Sequence, residues 1–306
     1  MNHVTAFFNS LPISEALRAR VYTDTPEARH RLYLQLPTMF AVAFPGVTEA
    51  QLQELTLASY LYFRYVLYLD DLLDGDAGTT GPEEGQLLLL YCQLHEHAIR
   101  GLAHLFPQDH PFWSDFANCQ QAFALAQQQE QLSARQNGTW TQAAFEQLAV
   151  GKSAVCEALV YALHGLSTDG RHLAPALDCL RQYHLASQYE DDILDFRQDC
   201  ERGQNTYVYS QVIAYVQQQQ ISQDPPLTPR MLQNLLYVSG IGERHLSEAE
   251  HNYRHVATQA RLLGIEPLHH AALHHAGVVA SKRAHIRQLT EAATARATEL
   301  LHQEAA

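Results

Sequence analysis

Lysine is nearly missing from this chain: Lys152 and Lys282 are the only two, and arginine carries the rest of the positive charge. Charged residues of either sign make up 17% of 306 residues, and the formal net charge is −13. A nucleic-acid binder is excluded on that balance, because no basic stripe exists to neutralise phosphates. Cysteine is also sparse. Cys92, Cys119, Cys156, Cys179 and Cys200 are odd in number, widely spaced and without a CxxC pair, which argues against a disulfide framework or a zinc cluster. No apolar run is free enough of Gln, Arg, His and Asp to span a bilayer. The start, MNHVTAFFNSLPISEALRAR, lacks the basic opening and long apolar stretch of a secretion signal. These absences together predict a soluble cytoplasmic protein. Also lacking are an alternating strand pattern, a GxGxxG sequence and a P-loop.

What is present is helical periodicity. Apolar residues are 46% of the chain, enough for a substantial core. From Thr48 to Leu73 they recur at three- and four-residue steps, after the helix-entry signal Pro45-Gly46-Val47-Thr48-Glu49. Similar patterns predict helices over 86–105, 111–134, 142–166, 174–197, 207–219, 229–239, 247–263 and 267 to the tail. Gly203 is expected to end the fifth of these nine, counting Thr48–Leu73 as the first. Pro225-Pro226 falls between helices and nothing resembles an interdomain linker, so residues 1–306 read as one all-α domain.

Charge is concentrated where the apolar pattern stops. Tyr68 to Asp76 reads YLDDLLDGD, with Asp70 and Asp74 at i, i+4 and Asp71 beside them. About 120 residues later comes SQYEDDILDFRQDCERGQNTY, where Asp191, Asp195 and Asp199 fall at i, i+4 and i+8 on one helix face. Stacking like charges at this spacing costs an isolated helix roughly 0.2–0.5 kcal/mol per pair, and more if partly buried. A bound cation reverses the sign, and carboxylate oxygens are preferred ligands of Mg2+. A single cluster is as well explained by a solvated helix end; two, each closing an apolar helix, favour metal. An EF-hand is excluded, since neither cluster has the Asp-x-Asp-x-Asp-Gly loop.

Asp70-Asp71-Leu72-Leu73-Asp74 resembles the DDxxD motif of the class I isoprenoid synthases. Asp191 to Asp199 resembles their second metal motif, (N/D)DxxSxxxE in terpene cyclases, with Asp195 in place of Ser and Asp199 in place of Glu. The resemblance implies an all-α helical bundle around a central active-site cavity. It implies three Mg2+ ions gripping the diphosphate of a prenyl diphosphate substrate. Asp70, Asp71 and Asp74 would bind metal on one side, and Asp191, Asp195 and Asp199 on the other. Arg202 would contact diphosphate, its competing role being a surface ion pair. Lys152, which interrupts an apolar helix, would do the same, against a snorkelling lysine. Tyr207 is a weaker candidate for that contact. A carbocation needs a dry cavity; Phe63, Val66 and Leu67 before the first cluster, and His184, Ser187 and Gln188 before the second, are the expected walls. Homodimers are common in the family, and a dimer is expected on that ground alone.

Three reactions share this architecture. Chain-elongating synthases typically carry an Arg-Arg pair after DDxxD, whereas this chain has no Lys or Arg between Asp71 and Arg100. QYEDDILDFRQDCERG also lies without gaps on the QxxNxxRDxxEDxxRG pattern of squalene and phytoene synthases, matching Gln188, Asp195, Asp199, Arg202 and Gly203. The first expectation is cyclisation of a C15 or C20 diphosphate; head-to-head coupling and chain elongation are the alternatives. A nucleoside-triphosphate pyrophosphohydrolase is disfavoured, since its acidic motifs are usually glutamate-based and on a much shorter chain. The run LHHAALHHAG (His269, His270, His274, His275) offers i, i+4 histidine pairs, but with no carboxylate or cysteine partner nearby it reads as a polar helix face.

Overall fold

A computed structural model describes residues 2–22, 35–74, 82–134 and 140–304. Among them there is no strand, and no helix is long and apolar enough to cross a membrane. The helices are α1 (Asn2–Ser10), α2 (Glu15–Val21), α3 (Leu36–Phe40), α4 (Glu49–Asp74), α5 (Pro82–Leu105), α6 (Phe112–Ala134), α7 (Gln142–Leu166), α8 (Leu173–Leu194), α9 (Phe196–Arg202), α10 (Tyr207–Gln218), α11 (Pro229–Val238), α12 (Ile241–Leu262) and α13 (Glu266–Glu304). All-α architecture is therefore as the periodicity predicts. Two differences stand out. The helix expected from 247 begins at Ile241, because left-handed Gly240 (φ +75°) supplies its start. The helix expected through Arg197 is jointed at Asp195, between α8 and α9.

The chain groups into two compact units, 1–120 with 155–177, and 121–154 with 178–306. In the first unit α4 packs along α5. Leu55, Ala58, Leu61, Tyr62 and Phe63 are buried on α4, each large one of them contributing about 1.5–3 kcal/mol by leaving water. Tyr68 stacks on Tyr91 at 4.1 Å, and the Arg64 Nε donates to the Val21 carbonyl at 3.0 Å, tying α4 to the end of α2. The turn at Gly46 (φ +91°) is held by the Thr168 N–H donating to the Pro45 carbonyl at 3.0 Å.

The second unit carries the second acidic cluster. Its core is alanine-rich: Ala249, Ala257 and Ala260 on α12, and Ala272 and Ala276 on α13, are buried. Small side chains on both helices let their backbones approach closely. The N-terminal half of α7 is fixed to α8 by Tyr189, whose hydroxyl donates to Glu146 at 2.8 Å. Trp140 Nε1 donates to the Asn205 carbonyl at 2.8 Å, anchoring the start of α7 to the segment after α9.

Candidate active site

The site in the second unit grows from one helix joint. Helix α8 ends at Leu194 and α9 starts at Phe196, yet backbone bonding runs through the joint. Asp195 N–H donates to the Asp191 carbonyl at 2.8 Å, and Asp199 N–H donates to the Asp195 carbonyl at 3.0 Å. The one-turn spacing of Asp191, Asp195 and Asp199 therefore survives the break. Buried Phe196 pins the joint, and left-handed Gly203 (φ +69°) ends α9, its N–H donating to the Cys200 and Asp199 carbonyls. The sequence expectation for Gly203 holds.

Asp192, which i, i+4 spacing does not select, is the most constrained carboxylate here. The residue keeps some exposed surface, but its Oδ2 is shielded from solvent and has no hydrogen-bond partner among the described residues. Burial, and then the charges of Asp199, Asp191 and Glu130, push its carboxyl well above the usual range; Lys152 acts in the opposite direction. Asp199 is pushed up to about 6, by burial first and then by Asp195, against the pull of Arg202. The Ser187 hydroxyl donates to Asp191 Oδ2 at 3.4 Å.

Glu130 is a further member that no sequence motif marks. Gly151 on α7 lies so close to α6 that an added Cβ would stand 2.8 Å from Ala126 Cβ. One turn beyond Ala126 is Glu130, and one residue beyond Gly151 is Lys152. The Lys152 Nζ donates to both Glu130 oxygens, at 2.7 and 2.9 Å. Lys152 is thus a positioned ammonium, with its side chain 16% exposed, and does not snorkel. His184 is pushed down to about 4 by burial and by Lys152, which keeps its imidazole neutral at physiological pH.

The remaining predicted residues distribute as follows. Gln188 is half-buried and Arg202 exposed, with Arg202 close enough to lower the Asp199 carboxyl. Tyr207 is buried, stacked on Phe145 at 5.0 Å, and its hydroxyl accepts from Gln211 Nε2 at 2.6 Å. In the first unit Phe63 and Val66 are buried, Leu67 and Asp70 are half-buried, and Asp71 is exposed at the C-terminal end of α4. The side chain of Asp74 lies outside the described residues.

Among the described residues the carboxylates around Asp192 do not bring three donor atoms within 4.8 Å of one another; the buried Asp192 oxygen and the negative charges around it are what suit a hard divalent cation such as Mg2+. Asp192 Oδ2 is the observation behind that fit. The carboxylates offer oxygen donors, which suit Mg2+ better than a softer metal.

No protein-family model and no curated protein matches the chain. Solved structures do. The polyprenyl synthase from Caulobacter crescentus CB15, complexed with calcium and isoprenyl diphosphate, is 17% identical, with 90% of this chain and 94% of that chain covered and a TM-score of 0.62. A decaprenyl diphosphate synthase from Rhodobacter capsulatus is 15% identical over 90% of this chain and 95% of its own, with a TM-score of 0.69. The geranyltranstransferase from Thermotoga maritima is 15% identical, covering 92% and 96%, with a TM-score of 0.59. The chain has the all-α fold of the isoprenoid synthases.

Proposed function

We propose that the protein is a Mg2+-dependent prenyltransferase that ionises an allylic prenyl diphosphate and lengthens it with a second prenyl unit. The observation that carries the chemistry is the buried, unpartnered Oδ2 of Asp192 among Asp191, Asp199 and Glu130. Folding would select against such a group unless binding compensated it. Prenyl transfer is favoured over cyclisation because the similar solved structures are polyprenyl, decaprenyl and geranyl-transferring synthases.

In this reading Asp191, Asp192, Asp195 and Asp199 would hold Mg2+, with Asp70, Asp71 and Asp74 forming the other acidic set. Magnesium supplies positive charge against the diphosphate as it leaves. The allylic C–O bond breaks, diphosphate departs with the electron pair, a C–C bond forms to the second unit's double bond, and the released diphosphate takes the proton that the new cation loses. Lys152, held by Glu130, would donate to an anionic oxygen of the diphosphate. His184, kept neutral, adds no positive charge that would compete with the metal. The buried apolar face of α4, with Phe63 and Val66, is the proposed wall for an isoprenoid tail.

A second reading, cyclisation of one C15 or C20 diphosphate, is favoured by the absence of Lys and Arg between Asp71 and Arg100. Such a segment offers no guanidinium to a second diphosphate. Incubation with Mg2+ and C10, C15 or C20 allylic diphosphate, each with and without isopentenyl diphosphate, separates the readings by product mass. Longer diphosphates made only with isopentenyl diphosphate support elongation. Cyclic hydrocarbon without it establishes cyclisation, and a doubled carbon count establishes head-to-head coupling. No product from any substrate overturns the prenyl diphosphate reading.

A further inference from the structure

The turn between α12 and α13 is tied twice. Gly264 (φ +72°) ends α12, its N–H donating to the Arg261 carbonyl at 3.1 Å, while Ile265 N–H reaches back to the Ala260 carbonyl at 2.8 Å. This is the paired bonding of a Schellman motif. Ile265 and Leu268 are buried, so the first turn of α13 is fastened to the core from beneath. On its outer side the donor atoms of Glu266, His269 and His270 all lie within 4.8 Å of one another. The sequence reading of this histidine run as a polar face without a carboxylate partner is corrected: Glu266, three residues before His269, faces the same side.

A second feature, outside the cluster, points the same way. His269 Nδ1 is 2.7 Å from the Ala257 carbonyl on α12. A carbonyl only accepts, so Nδ1 carries the hydrogen and Nε2 is left as the basic nitrogen. A histidine oriented by a backbone carbonyl on one nitrogen is the usual support of a metal-ligating imidazole. The His269 and His270 rings stand edge to face, 5.2 Å apart, and Glu266 and His270 are exposed, so an ion can enter from solvent.

We infer that Glu266, His269 and His270 form a binding site for a borderline divalent ion of the Zn2+ class on the first turn of α13. Two imidazoles and one carboxylate suit zinc with solvent completing its shell, and are a poor set for Mg2+, which prefers oxygen. The site is independent of the aspartate cluster and of the prenyltransferase reading.

Zn2+ titration by calorimetry, and Co2+ titration followed by visible absorption, test it on the full untagged chain with Mg2+ in large excess. One equivalent is expected to bind despite the Mg2+, and Zn2+ is expected to raise the melting temperature. His269→Ala and His270→Ala should each weaken binding at least about tenfold, with Glu266→Gln weakening it less. Asp192→Asn and His274→Ala should leave it unchanged. Glu266 and His270 are exposed, so their variants should keep the apo melting temperature of the parent, whereas His269→Ala also loses the bond to the Ala257 carbonyl and should lower it. Undiminished binding in the His269→Ala/His270→Ala double variant would overturn the inference. So would displacement by Mg2+, or loss of the ion in Asp192→Asn, since either places it on the aspartates.

Discussion

Glu190 and Asp192, two carboxylates separated by one residue, are treated in opposite ways by the same helix. Glu190 is buried and provided for: Lys282 Nζ donates to one oxygen at 2.6 Å, the Tyr253 hydroxyl donates to the other at 3.3 Å, and His275 stands 4.0 Å away. Asp192 is also shielded, but its Oδ2 has no hydrogen-bond partner among the described residues, and three carboxylates outweigh the one ammonium, Lys152, near it. A satisfied buried charge holds helices together, whereas an unsatisfied one costs stability until something binds. On the proposed reading, the contrast separates an acidic residue that serves the architecture from a neighbour that serves the chemistry.

The sharpest way to break the contrast is to neutralise each in turn. Asp192→Asn is expected to lower Mg2+-dependent turnover by about 10²–10³, the scale of losing one preorganised electrostatic contact to a developing charge. The same change should raise the melting temperature of the metal-free protein, because it removes a carboxyl that folding holds well above its usual range. Unchanged turnover together with a lower melting temperature would place Asp192 with Glu190 as a structural group. Glu190→Gln is expected to do the converse. It leaves Lys282 without its partner, and since that lysine is about one-third exposed (34%), the loss is discounted to about 1–3 kcal/mol. Urea unfolding should show this loss equally with and without Mg2+; a loss that appears only with the metal would tie Glu190 to the site.

Much of the architecture is legible in the sequence alone. The helical periodicity, the order of the two acidic motifs and the role of Gly203 all follow from local spacing, because helices and their ends are specified by residues within a few positions. Asp192 is not singled out that way, since i, i+4 spacing selects Asp191, Asp195 and Asp199 and says nothing about which neighbour is shielded. Glu130 is invisible for a different reason. Its meeting with Lys152 depends on α6 and α7 touching at Ala126 and Gly151, a contact between segments on two different helices that no local pattern encodes. Glu266 is readable in principle, at i−3 from His269, but it stands outside the histidine run, where helical spacing alone does not tell a ligand from a solvated helix start.

That contact between α6 and α7 offers a milder test. Gly151→Ala puts a Cβ 2.8 Å from Ala126 Cβ, which forces the helices apart. Overpacking costs about 1–3 kcal/mol, and alanine's better helix propensity returns about 0.5–1 kcal/mol, so a net loss of about 1 kcal/mol is expected. Adding Ala126→Gly should relieve the clash in a double-mutant cycle. If the two losses simply add, the close approach is not what sets the Lys152–Glu130 pair.

The smallest effect is in pH, and it has to be read as a difference. Asp199, raised to about 6 against an ordinary value of 3.8, favours the metal-free fold below pH 3.8, and that contribution is lost as pH rises through about 6. His184 and His245, both lowered to about 4 by burial, act oppositely: their contribution is present above pH 6.5 and lost as pH falls through about 4. The parent protein therefore shows a partly cancelled slope between about pH 4 and 6.5. Comparing it with Asp199→Asn in chelator isolates the carboxylate, because the histidine contributions are common to both. The stability advantage of Asp199→Asn should grow as pH rises from about 4 to about 7. With Mg2+ present the advantage should shrink at the upper end, where the ionised carboxylate is available to the metal. A difference that stays flat in chelator would mean that Asp199 is solvated like an ordinary surface aspartate, and the acidic joint would then have only Asp192 to set it apart from Glu190.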